Sequence, residues 1–167
     1  IKPDVIDRAL LSLKSNDFPI YYLSPRGIKL DTQISNSISK LDGMTLVCGK
    51  YEGVDERVIK HYNMIEISIG DYILSGGDLA AMVLIDSVVR CLPNVLGNPL
   101  TLNEESFTNH LLEYPLYTQP REWKNYKVPD VLLSGDHKKI KNWKIKQSED
   151  ITMKRRPDLW KKYLKLK

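Results

Sequence analysis

Five of the nine glycines fall between residues 49 and 77: Gly49, Gly53, Gly70, Gly76 and Gly77. Glycine lets the backbone approach a ligand closely and accepts positive φ. Each of these residues lies at or beyond the end of a short apolar run, where α/β folds build ligand sites. Tight turns alone would account for the same pattern. The run Lys50–Arg57, KYEGVDER, adds acids and bases beside those glycines. It reads either as hydrogen-bonding groups for a ligand or as an exposed, ion-paired loop. His61, His110 and His137 share no metal-like spacing and read as surface or packing residues. Cys48 and Cys91 are too few and too far apart for a disulfide framework or a zinc site, and their apolar surroundings predict buried free thiols in a reducing compartment. No P-loop, GxGxxG after a first strand, HExxH or CxxC occurs, so an NTPase, a dinucleotide enzyme and a zinc hydrolase lose support. These residues point to a small-molecule site and do not name a reaction.

The elements that would position the glycines alternate regularly. Pro3–Lys14 carries Val5, Ile6, Ala9, Leu10 and Leu13 on one helical stripe. Ile20–Leu23 reads as a strand ended by the turn Ser24-Pro25-Arg26-Gly27. Thr32–Leu41 is helical by the spacing of Ile34, Ile38 and Leu41. Met44–Cys48 is a second strand, Glu56–Lys60 a helical turn and Met64–Ile69 a third strand. After the loop Gly70–Gly77, Asp78 reads as the N-cap of a helix from Leu79 to about Cys91, stopped by Pro93. Strand–helix alternation implies a parallel sheet covered on both faces. The helix 79–91 is apolar nearly all round, which predicts burial on more than one side, in the core or at a subunit interface.

The character changes after Leu96. Residues 1–100 carry 10 Lys/Arg against 12 Asp/Glu, whereas 101–167 carry 15 against 9, so the net charge of +4 comes from the second half. Clustered positive charge suggests a polyanion, usually nucleic acid, although a solvated lysine-rich tail has the same composition. Gly97–Asn103 reads as a linker. Glu105–Glu113 reads as helical and Tyr114–Pro129 as irregular. Asp136 is expected to cap a basic helix, His137–Gln147, and Pro157 to open a last one. Trp123, Trp143 and Trp160 could stack on bases, but a domain this small more often uses them as core. No apolar run is long enough for a membrane span, and Ile1–Lys14 lacks the h-region of a signal peptide.

Beyond periodicity, whole strings are similar to those of the bacterial tRNA (guanine-N1)-methyltransferases of the SPOUT class. They are YLSPRG at 22–27, LVCGKYEGVDERVI at 46–59, SIGDYILSGGDLAAMVLIDSVVR at 68–90, LPNVLG at 92–97, EESF at 104–107, YPLYTQP at 114–120, VPDVLLSGDH at 128–137 and RRPDLW at 155–160. They occur in family order from about Ile20 to Trp160. The resemblance implies an α/β, trefoil-knotted parallel-sheet domain over 1–96, a linker over 97–106 and a small helical tRNA-binding domain over 107–167. Family members begin with a strand, a helix and a glycine-rich loop, so the knotted domain is expected to be represented here without its N-terminal part. The family's homodimer, formed through the knotted domain, agrees with the over-apolar helix 79–91.

The resemblance also implies a chemistry. Three loops would hold S-adenosylmethionine by their backbone: Tyr22, Leu23, Ser24 and Pro25; Gly49, Tyr51, Glu52 and Gly53; and Ile69, Gly70, Asp71, Tyr72, Ile73 and Leu74, continuing to Gly76 and Gly77. The methyl would pass to N1 of the guanosine immediately 3′ of the anticodon. A linker carboxylate would take the N1 proton, and Arg90, at the end of the helix, would offset charge developing on the base. At the carboxylate this chain has Glu105 where the family usually has Asp, an extra methylene of about 1.5 Å where misplacement by about 1 Å can cost 10²-fold. Ala80 stands where many members have proline. The family further implies a magnesium requirement, although no dedicated metal cage is visible in the sequence, and the anticodon arm of tRNA as partner, in the cytoplasm and with no membrane. The alternatives are another SPOUT RNA methyltransferase or a non-catalytic RNA-binding homologue.

Overall fold

The computed structural model describes residues 1–13, 17–50, 52–95 and 106–167. The chain divides into two compact units, Ile1–Gly97 and Asn98–Lys167. The first is built on a parallel three-stranded sheet of β1 (Ile20–Lys29), β2 (Thr45–Cys48) and β3 (Ile65–Ser68) in the order β2-β1-β3. Its helices are α1 (Pro3–Leu11), α2 (Thr32–Ile38), α3 (Glu56–His61) and α4 (Asp78–Val89). Alternation along β1 assigns side chains to two layers. Tyr21 and Leu23 pack with Ile38 of α2 and with Ala80, Ala81, Leu84 and Val88 of α4. Tyr22, on the opposite face, packs with Leu10 of α1, Val58 and Ile59 of α3, and Val47 of β2. The short apolar runs are therefore strands covered on both sides, which explains why they show little polar alternation.

Three details differ from the sequence reading. Ser24–Gly27 does not end β1. Leu23 and Ile28 both fall opposite Ile67 of β3, so the four residues between them leave the ladder and the strand then resumes. Gly27 makes the return possible, because a Cβ there would lie 2.4 Å from the carbonyl carbon of Glu66 and from the nitrogen of Ile67. Second, the N-cap of α4 is Gly77, and Asp78 is already in its first turn with no capping hydrogen bond. Third, α4 is not buried all round. Ala80, Ala81, Leu84 and Val88 are buried, whereas Leu79, Met82, Val83, Ile85 and Val89 are exposed, Met82 at 65%. The two cysteines are free and only half-buried.

The second unit contains a two-stranded hairpin, β4 (Glu122–Trp123) and β5 (Tyr126–Lys127), and the helices α5 (Asp130–Leu133), α6 (His137–Arg155) and α7 (Pro157–Leu164). Lys124 and Asn125 both have positive φ, 48° and 66°, as a two-residue primed turn requires. With no glycine at the turn, the sequence signal was weak. Glu105–Glu113 does not form the expected helix. Its described part holds a 3₁₀ turn at Thr108–His110, and Phe107, Asn109 and His110 have positive φ. Helix α6 is capped by Asp136, whose carboxylate accepts from the N–H groups of Lys138 and Lys139. It runs eight residues past Gln147, because its buried side there is polar. The hydroxyl of Thr152 donates to the carbonyl of Ser148 at 2.6 Å and accepts the N–H of Leu112 at 2.8 Å.

Candidate functional site

In a parallel sheet all strands point their carboxyl ends the same way, and connections leaving from one edge open a crevice. Strand β1 is central, and the chain passes from it to β2 on one side and later to β3 on the other. Above those ends lies a cavity of about 470 Å³, within the range of small-molecule and cofactor sites. Its walls are three segments: Tyr22 to Arg26 within β1; Gly49, Lys50 and Glu52 to Val54 after β2; and Ile69, Gly70 and Tyr72 to Gly77 after β3. The start of α4 closes it at Ala80.

Backbone dominates the construction. The N–H of Gly77 donates to the carbonyl of Gly49 at 2.8 Å, and Lys50 bridges to Gly76, which ties the second loop to the third. Gly53 has φ +93°, a conformation that a residue with a Cβ rarely adopts, and its N–H donates to the carbonyl of Lys50. Buried Ser68 braces the third loop: its hydroxyl donates to the carbonyl of Gly70 and accepts the N–H of the same residue. The hydroxyl of Tyr72 donates to the carbonyl of Ile69.

The expected cofactor residues are brought together here, with two exceptions. Tyr51 lies outside the described residues. Asp71 does not line the cavity, and its exposed carboxylate pairs with Lys29 at 3.4 Å. Arg90 follows the last turn of α4. Since α4 begins at the cavity and rises about 1.5 Å per residue, Arg90 stands at the far end of the helix. Glu105 and the linker over 97–103 lie outside the described residues.

The sequence reading did not single out the lining groups Arg26 and Ser68, and it took Lys50 and Glu56 only as members of the run Lys50–Arg57. Arg26 and Glu56 lie within the matching strings, but nothing in a string indicates that they meet. Arg26 donates to Glu56 at 3.1 Å and to Glu66 at 3.2 Å. Glu56 first, then Glu66, push its pKa further up, so it stays a cation. Burial, then the carboxylate of Asp78, push up the Cys48 thiol, which makes it a poor nucleophile. Among the described residues no group of three or more His, Cys, Asp or Glu is placed to hold a metal ion. None of the described helices is long and apolar enough to cross a membrane.

Fold and site together define an α/β domain with a cavity at the carboxyl edge of a parallel sheet, followed along the chain by a basic unit of helices and a hairpin. Comparison with known proteins identifies which such domain it is. The chain belongs to the tRNA (Guanine-1)-methyltransferase TrmD family, whose model matches residues 1–162. It is 54% identical over 165 residues to the tRNA (guanine-N(1)-)-methyltransferase of Pelagibacter ubique, covering 99% of this chain and 72% of that protein. The enzyme of the same name from Rhodospirillum rubrum is 51% identical over 164 residues, 98% of this chain and 69% of that one. The one from Brucella ovis is 49% identical over 165 residues, 99% and 68% of the two chains.

Proposed function

We propose that the protein transfers a methyl group from S-adenosylmethionine to N1 of the guanosine immediately 3′ of the anticodon in tRNA. The observation that carries this is a family match spanning both units, 1–162, around a cavity whose backbone construction suits the cofactor. The fit rests on volume and on the glycine positions: a Cβ at Gly77 would press on the backbone of Cys48, and one at Gly49 on the ring of Tyr22. When bound, S-adenosylmethionine supplies a sulfonium methyl group.

The chain's own residues have three tasks. The loops hold and bend the methyl donor. Glu105 takes the proton from N1, so that the ring nitrogen can use its electron pair to attack. Its neighbours provide an anchor: Ser106 accepts the N–H of Glu113 at 3.0 Å, and the N–H of Phe107 donates to the carbonyl of Leu111 at 2.6 Å. Arg90 steadies negative charge developing on the guanine. From the far end of α4 it would serve the cavity of a second copy, which ties the chemistry to a homodimer. The exposed apolar face of α4, from Leu79 to Val89, supports such an interface. In this reading the sheet domain is the trefoil-knotted SPOUT domain and 107–167 grips the anticodon arm by phosphate contacts. Of the three tryptophans, Trp123 is exposed, with the Lys124 ammonium over its ring at 4.9 Å, while Trp143 and Trp160 are half-buried against Tyr117 and Tyr163. Magnesium, which the family resemblance implies, finds among the described residues no group of three or more His, Cys, Asp or Glu placed to hold it.

Two unmodified tRNA transcripts, with guanosine or adenosine just 3′ of the anticodon, test the reading with labelled S-adenosylmethionine. Label recovered as 1-methylguanosine from the first alone supports it. Label at another nucleotide makes the protein a different RNA methyltransferase, and donor binding without transfer makes it a non-catalytic homologue. Glu105→Gln is expected to lose about 10²–10⁴-fold in kcat while still binding the donor.

A further inference from the structure

The wall formed by Ser24–Gly27 has an unusual mechanical problem. Because Leu23 and Ile28 both fall opposite Ile67, these four residues have lost the ladder partners that fix the rest of β1. Something else must hold them where they line the cavity. One local bond is available, the N–H of Arg26 to the hydroxyl of Ser24 at 3.3 Å. The longer-range tie is the Arg26 guanidinium, which donates to Glu66 of β3 and to Glu56 of α3. These acids come from two different elements, 40 and 30 residues away along the chain. Without the cation, two carboxylates would face each other at the cavity rim.

We propose that Arg26 is a positioning residue for the methyl-donor site: shared between Glu56 and Glu66, it pins the 24–27 excursion of β1 against β3 and α3 and so fixes one wall of the cavity. The proposal rests on reading this cavity as the donor site. All the contacts to the two acids come from one guanidinium nitrogen, Nη2, so the tie is that of a single cationic centre shared by two carboxylates, which a lysine ammonium supplies in part. The wall touches the donor in ground and transition states alike, so loosening it affects KM more than kcat. The clamp is partly solvated, with Arg26 62% and Glu66 23% exposed, so the effect is limited to the scale of exposed ion pairs, about 1.5- to fivefold.

The test compares wild type with Arg26→Met, Arg26→Lys, Glu66→Gln and the double variant Arg26→Met/Glu66→Gln. Calorimetric titration with S-adenosylmethionine, steady-state kinetics and amide hydrogen exchange over 22–28 are measured on each. Arg26→Met is expected to weaken donor binding about 1.5- to fivefold, to raise KM by more than it lowers kcat, and to speed exchange in 24–28. Arg26→Lys should recover part of the loss. The double variant should bind no worse than Arg26→Met, since both changes remove one interaction. Donor binding and exchange unchanged in Arg26→Met, or fully additive losses in the double variant, would overturn the clamp. If wild type itself binds no donor, the reading of the cavity falls, and exchange over 24–28 still decides whether Arg26 holds the wall. If Arg26→Met does not fold, Arg26→Lys and Glu66→Gln carry the same comparison.

Discussion

Replacing Gly27 by alanine puts one methyl group where β1 returns to the sheet. The added carbon would sit 2.4 Å from the carbonyl carbon of Glu66, 2.4 Å from the nitrogen of Ile67 and 2.5 Å from the Glu66 oxygen. Ordinary carbon contacts begin near 3.5 Å, so relief needs a shift of about 1 Å. All three obstacles are backbone of a strand packed on both faces, so no side chain can swing aside. A 1 Å separation takes a ladder hydrogen bond of about 2.9 Å out of range, which threatens the pairing of Ile28 and Lys29 with Ile67 and Ser68 and the bond from Leu30 N–H to the Ser68 carbonyl. Overpacking of this kind costs about 1–3 kcal/mol, and each backbone bond lost adds about 1 kcal/mol. We expect a total of about 2–4 kcal/mol. Urea unfolding followed by far-UV circular dichroism, with exchange over 27–30 and 66–68, measures it. Gly27→Ala within about 0.5 kcal/mol of wild type, the range of neutral surface changes, would refute the argument that glycine is required for this close approach.

Three other outcomes are expected. Thr152→Val should destabilise the second unit by about 1–3 kcal/mol, because the N–H of Leu112 loses its acceptor, while Thr152→Ser should retain most of the stability; urea midpoints decide. Hydrogen bonds from the Arg57 side chain, then from its backbone N–H, hold Asp55 at about 2 against an ordinary 3.8. A depressed carboxylate stabilises above its unfolded pKa and loses that contribution as pH falls through the folded value. The stability gap between wild type and Asp55→Asn should therefore be constant above about pH 5 and close between about pH 4 and 2, as unfolding midpoints across that range will show. Trp123→Ala should raise KM for tRNA about five- to a hundredfold with donor affinity unchanged, the scale of one stacked base; equal KM values would remove Trp123 from the RNA surface.

Local pattern carried far in this chain. Asp136 and Pro157 open helices for reasons that lie within a few residues, and the structure has helices where those signals stand. The three apolar runs were legible as strands because a doubly covered strand has to be apolar throughout. Two of the three segments that meet at the cavity were marked by their glycines before any geometry was known, and the first, Tyr22 to Pro25, only by its matching string. What failed were features set by distant neighbours. Thr152 looks like an exposed helical residue until Leu112, 40 positions earlier, is brought against it. Ser24–Gly27 has the composition of a turn, and it becomes part of a strand because β3 is there to receive its return.

The sequence by itself therefore determined the family, the alternation of elements and the identity of the three loops, because strings, periodicity and glycine placement are properties of consecutive residues. Tertiary structure decided that Arg26 joins Glu56 and Glu66, that one face of α4 remains exposed, and that Arg90 ends up at the opposite end of that helix from the cavity. Those are relations between segments far apart in the chain. Ion pairing, burial and close backbone approach depend on distance in space, and the packing of the sheet between its two helical layers sets that distance.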